Sequence, residues 1–289
     1  MTQTTPTHPN AQQDEYWNQA AGPLWVRQQE RLDSQIEPHG LVAIERAALH
    51  PGEHVVDIGC GCGQTSLELA RRVGATGRVE GVDLSAPMLE RARERAREAE
   101  LDQLSFTRGD AQSHAFAPRS TDLFFSRFGV MFFEDPLTAF RNFHRALRPG
   151  GRITFLCWKG IEANPWMRIP MVAIAPLVEL PEPPPPGAPG PLAFADDARV
   201  RGLLEEAGFE DVHATGHDSE MKLAGTGGPE AAAEFMLEIG PAARAAREAG
   251  LDDPTPLRDA IARALAPHQR GDAIVIGAGM WIYQARRGS

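Results

Sequence analysis

This chain predicts an α/β fold with an open, doubly wound, mostly parallel sheet, and three observations carry the prediction. Val55, Val56, Asp57 and Ile58 form an apolar run containing one acid; it enters Gly59, Gly61 and Gly63, and a helical pattern over 65–70 follows at once. A strand that stops at a glycine turn lets main chain approach a ligand at the carboxyl end of a sheet. A second apolar run, 77–82, ends in Asp83, roughly the 20-residue interval at which an acid meets ribose hydroxyls in dinucleotide folds. Further apolar runs at 104–106, 122–126 and 152–158 are separated by helical intervals, so strand and helix alternate.

Each element has its own signal. Aromatic and aliphatic residues at mixed three- and four-residue spacing over 14–36 predict amphipathic helices, interrupted where Pro23 follows Gly22. The segment 41–49 reads as a clearer helix, ended by Pro51 and Gly52. A helix is expected over 85–100, with Ser85 as its cap and Pro87 in its first turn. Its run 91–98 is mixed in sign, as on a solvated helix face. Beyond the fifth strand the alternation lapses into an apolar stretch, 171–180, and a proline tract, 181–187, that can join neither helix nor central strand. A helix at 196–207 closed by Gly208, a sixth strand near 212–223, an alanine-rich helical region at 225–270 broken by Pro241 and Pro254, and a last strand at 273–285 complete the chain. The expected organisation is a helical cap at 1–50 and one sheet domain at 51–289, with insertions at about 160–195 and 225–270.

Composition narrows the function. With 289 residues, 42% of them hydrophobic, the chain can bury one large core. A net charge of −10 disfavours a general nucleic-acid or anionic-membrane binder, because phosphate affinity comes mostly from Lys and Arg. Neither a signal peptide nor a membrane span is visible, so a cytosolic protein is expected. Cys60, Cys62 and Cys157 make no disulfide framework and no closed zinc site, and no metal is expected; Cys60 and Cys62 read as small residues beside a tight turn.

Asp57-Ile58-Gly59-Cys60-Gly61-Cys62-Gly63, Asp83, Gly109-Asp110-Ala111 and Leu147-Arg148-Pro149-Gly150-Gly151, in that order, resemble the motifs of the class I S-adenosylmethionine-dependent methyltransferases. The small-molecule enzymes that include the quinone-biosynthesis C-methyltransferases look most similar. The resemblance implies a Rossmann-like sheet of seven strands with the last antiparallel, S-adenosyl-L-methionine as cofactor and a small organic molecule as methyl acceptor on O, N or C. A hairpin joins the last two strands in that family, whereas here a helical insertion separates them and is expected to form a lid or a homo-oligomer contact.

What the resemblance implies for single residues follows motif by motif. Gly59, Cys60 and Gly61 would meet the methionyl end and the sugar, with Asp57 orienting their loop. Asp83 would hold the ribose, Asp110 the adenine amino group, Ala111 the ring through its amide, and Gln112 would border the base. Leu84 and Met88 would cover the adenine, and Trp17 and Trp25 would wall the sulfonium with their π faces. Ser126 and Arg127, at the end of the fourth strand, complete the cofactor set, Arg127 because a guanidinium near a buried site needs a carboxylate, which the cofactor or an acidic substrate could provide, with a structural ion pair as the alternative. Phe128, Met131, Phe132, Trp158, Asn164 and Trp166 are the candidate acceptor wall. His114 is the candidate general base, with transfer by proximity alone as the alternative.

Two rival readings are weighed. An NAD-dependent oxidoreductase also uses a glycine turn and a ribose acid, but its Gly-x-Gly-x-x-Gly fingerprint differs from Gly59-x-Gly61-x-Gly63. A non-catalytic cofactor-binding protein would keep the same landmarks. Nucleic-acid methylation is disfavoured, since Asn164-Pro165-Trp166 follows the fifth strand rather than the fourth.

Overall fold

The computed structural model describes residues 10–289. Short helices α1 (Ala11–Glu15) and α2 (Ala21–Arg27), joined by a π-helical turn, lead into the long α3 (Gln29–Arg46). There follow β1 (His54–Ile58), α4 (Gln64–Val73), β2 (Arg78–Asp83), α5 (Ala86–Glu98), β3 (Leu104–Arg108), β4 (Thr121–Arg127), α6 (Pro136–Ala146) and β5 (Leu147–Trp158). The rest comprises α7 (Pro165–Ile174), α8 (Asp197–Glu206), β6 (Glu210–Leu223), α9 (Gly228–Glu238), α10 (Pro241–Ala249), α11 (Thr255–Leu265), β7 (Gln269–Arg270) and β8 (Ala273–Arg286).

The sheet order is β3-β2-β1-β4-β5-β8-β6, with the two-residue β7 beside β8, so the main path has the expected seven strands and the whole sheet eight. β1 to β5 run parallel, and β8 is antiparallel to both β5 and β6. The order reverses between β1 and β4, the switch point where ligands enter open α/β sheets. β1 is buried along its whole length, as a central parallel strand should be. β5 ends at Trp158 opposite Met280, while β6 and β8 stay paired as far as Leu223 and Ile274. This projecting ribbon carries the insertion helices α9 to α11.

Three local expectations are corrected. Pro23 lies in the first turn of α2, where a missing N–H costs little, rather than between helices. The clearer helix of 41–49 is the end of α3, which runs unbroken through Pro38. Ser85 does not cap α5: its hydroxyl donates to the Trp17 carbonyl, and Asn18 Oδ1 accepts the Ala86 N–H at 2.9 Å from 68 positions away. The cap thus supplies the helix end with the acceptor that its own sequence withholds.

Candidate functional site

Three acids stand along the carboxyl ends of β1, β2 and β3. Asp57 is fully buried; its Oδ2 accepts the hydroxyls of Thr65 and Ser66 at 2.7 and 2.6 Å, tying β1 to the start of α4, while Oδ1 has no partner. Burial pushes its pKa up to about 6 against the pull of those hydrogen bonds. Asp83 accepts the Gly61 N–H on Oδ2 and the Ser85 N–H on Oδ1, both at 2.8 Å, so each oxygen keeps a lone pair. Burial likewise raises its pKa, opposed by those backbone donors. Asp110 Oδ1 serves the Gln112 N–H and the Asn10 amide at 2.9 and 2.7 Å, leaving Oδ2 with only a long contact from Ser113.

The glycine turn is shaped by contact as well as by dihedral. Gly59 has φ +65°, and a Cβ there would sit 2.7 Å from Gly129 Cα. A Cβ on Gly129 would lie 2.6 Å from the Ile58 carbonyl. The turns after β1 and β4 therefore touch main chain to main chain. Met88 lies over Gly61, its methyl 2.8 Å from where a Cβ would stand. Leu84 is half-buried beside it, its carbonyl accepting the Asn18 amide. The buried Ala111 turns its carbonyl to Asn142, and Gln112 Oε1 accepts the Asp135 N–H. Above the turns, Trp17 meets Trp25 and Phe132 edge to face at 5.8 and 5.2 Å.

Beyond β4, Phe128 has φ +65°, a strained conformation for an aromatic residue, of the kind that collects at functional sites. Its ring stacks on Trp158 at 4.2 Å and 7°, and Trp166 backs Trp158 at 5.0 Å. Met131 is buried in the core next to this wall.

Five of the expected site residues are engaged within the chain. Ser126 donates its hydroxyl to the Ile58 carbonyl and accepts the Gly129 N–H, so it ties β4 to β1. Both backbone groups of Cys60 are engaged, with Val82 and Gly63, and its thiol turns toward Gly81. Arg127 finds its partners within the chain: Nη1 donates to Gln64 at 2.5 Å, and Nη2 is 3.9 Å from Asp33. His114 packs edge-on against Phe116, its carbonyl accepts the Asn142 amide from α6, and among the described residues no carboxylate orients its ring. Asn164 is fully buried with every polar atom used, donating to the carbonyls of Lys159, Gly160 and Gly279 and accepting the N–H groups of Gly279 and Trp166. It clamps β5 to β8 and has nothing left for an acceptor.

Local pattern reading also missed residues. Asn10, Asn18, Asp33 and His39 reach the site from the cap, and Ser219 and His217 from β6. No motif marks them, because each acts on a residue far away in the chain. Among the described residues no group of His, Cys, Asp and Glu could hold a metal ion, and no helix is long and apolar enough to cross a membrane.

Residues 55–151, which hold all three acids and the turns between them, match the family model described as a methyltransferase domain. Residues 55–151 of the chain form a methyltransferase domain. Aklanonic acid methyltransferase DauC of Streptomyces sp. (strain C5) is 39% identical over 104 residues, which cover 36% of this chain and 47% of that protein. Demethylmenaquinone methyltransferase of Oceanobacillus iheyensis is 32% identical over 110 residues, covering 38% of this chain and 46% of the relative. The chain thus spans about half the length of these curated relatives. The crystal structure of YcgJ from Bacillus subtilis superposes with a TM-score of 0.59 at 16% identity, covering 87% of this chain and 99% of that one, a likeness of fold.

Domains of this class take S-adenosyl-L-methionine as methyl donor, and the methyltransferase domain here has side chains that fit it. Asp57 Oδ1 is a buried acceptor without a donor, which suits an ammonium group. Asp83 keeps acceptor capacity for two sugar hydroxyls. The Gly59 and Gly61 turn is bare main chain.

Proposed function

We propose that this chain is an S-adenosylmethionine-dependent methyltransferase acting on a small organic molecule. One observation carries the reading: three carboxylates end β1, β2 and β3 side by side, Asp57 fully buried and the other two partly so, and each keeps acceptor capacity that the described residues do not use. Burying such groups is costly unless a donor-rich ligand meets them. The cofactor, when bound, supplies a methyl group already activated on sulfonium, so positioning alone can accomplish much of the catalysis.

Asp57 would hold the amino-acid end and Asp83 the ribose. Asp110 would read the purine amino group through Oδ2, and Met88 with Leu84 would cover the ring. Trp17, Trp25 and Phe132 would close the crevice and exclude water. Phe128 and Trp158 form the wall at which the acceptor would lie. The curated relatives are named for aklanonic acid and demethylmenaquinone, which supports a small organic acceptor here and leaves O, N and C open as the methylated atom. Calorimetric titration tests the reading: S-adenosylmethionine and S-adenosylhomocysteine are expected to bind and NAD is not. NAD binding in their place would instead support the oxidoreductase reading.

A further inference from the structure

Helix α3 lays a second set of polar groups over the sheet, past the carboxylate-lined turns. Strand register puts Trp158, Met280 and His217 in one cross-strand row, with Ala278 and Ser219 in the next row outward. Side chains two apart share a face, and α3 covers this one. The His39 ring stands 5.7 Å from that of His217, and its Nδ1 is 3.1 Å from Ser219 Oγ. Two strand spacings of about 4.8 Å separate His217 from Trp158, with the buried Met280 between them, so one small molecule lying over Met280 could span the distance from His39 to the stacked aromatic wall.

His39 is 2% exposed, and its Nε2 has no hydrogen-bond partner among the described residues. Buried ring nitrogens are nearly always paired, and an exception calls for a reason. Burial, His217 and Arg127 together lower its pKa to about 4, so the ring is neutral. Around it Arg127 leans on Gly40, and Glu37 of α3 accepts from Gln64, which leaves Nε2 without a charged partner.

We propose that His39 binds the methyl acceptor: fixed through Nδ1 by Ser219, it presents Nε2 to a hydroxyl or carbonyl oxygen on an otherwise apolar, ring-bearing molecule laid against Trp158. This assignment rests on the function proposed above and names the acceptor class for it.

Two probes of one shape, 2-naphthol and naphthalene, test it by tryptophan fluorescence titration of the 289-residue chain with and without S-adenosylhomocysteine. Wild type is expected to prefer 2-naphthol by about tenfold, and His39→Phe to cut the preference below about threefold by weakening naphthol alone. His39→Gln, which keeps a hydrogen-bonding group near Nε2, should retain an intermediate preference. Ser219→Ala should lower it more mildly, and carries the comparison if His39→Phe fails to fold. Equal affinity for the two probes in wild type, binding of neither, or a preference that survives the loss of His39 overturns the assignment. Failure of S-adenosylhomocysteine to bind wild type would overturn the proposed function instead, and the naphthol preference measured without it would still decide the role of His39.

Discussion

Along the ends of β1, β2 and β3 the polar side chains are carboxylates, Asp57, Asp83 and Asp110, whereas around β4 to β6 they are a guanidinium and two imidazoles, Arg127, His39 and His217. The acids are held mainly by neighbours in sequence: Asp83 by Ser85, Asp110 by Gln112 and Asp57 by residues eight and nine positions on. The side with Arg127 and the imidazoles is held from afar, Arg127 by Gln64 and Asp33, and His39 by Ser219 across 180 positions. One half of the crevice is built mostly from local contacts, with Asn10 of the cap joining at Asp110, and the other depends on contacts between distant segments, those from α3 above all.

If that contrast is right, the largest effect should come from the local half. Asp83→Ala removes an acceptor for two hydroxyls and is expected to weaken S-adenosylmethionine binding by about 100-fold or more, at roughly 1.5–3 kcal/mol per charge-assisted hydrogen bond. Calorimetry reads the change; a loss of less than about tenfold would show that the ribose is held elsewhere. Gly129→Ala should cost about 2–3 kcal/mol, because its Cβ meets the Ile58 carbonyl and Gly59 Cα with no flexible group to move aside. A fall in Tm of about 5–10 °C follows for a chain of this size.

Opposite pH signatures sharpen the comparison. The folded-state pKa of Asp57 is raised to about 6, so its contribution to stability is present below about pH 4 and lost as pH rises through 6. That of His39 is lowered to about 4, so its contribution is present above about pH 6.5 and lost as pH falls through 4. Relative to wild type, Asp57→Asn should therefore gain stability with rising pH, and His39→Phe with falling pH. Each difference should change by on the order of 2 kcal/mol between pH 4.5 and 7. Urea denaturation at pH 4.5 and 7 measures both, and slopes of the same sign would break the contrast. The smallest effect expected is that of Asn18→Ala, about 1–2 kcal/mol, since it removes the acceptor at the start of α5 together with the amide donated to the Leu84 and Asp14 carbonyls.

The same contrast explains what could be read in advance. The alternation of strands, the glycine turn and the three acids were legible because each is a short pattern whose chemistry is complete within a few residues. Arg127 was legible as a buried cation in need of a carboxylate, but its partner Asp33 was not, since nothing in the sequence says which face of α3 meets β4. Asn164 looked like a ligand group until its five hydrogen bonds to β5, β8 and Trp166 were in view. His39 carried no pattern at all: a lone histidine in a helix becomes informative only when the fold shows that one of its nitrogens has been left without a partner.

At Gly59 and Gly129 the two halves meet, backbone against backbone, with less room between them than one methyl group needs. Nothing soft stands at this joint to absorb a displacement, so a small movement of either loop is passed undamped to the other. The crevice is in this sense a single mechanical part, and diversification of the acceptor side must proceed by exchanging residues around the weld while leaving the weld itself alone.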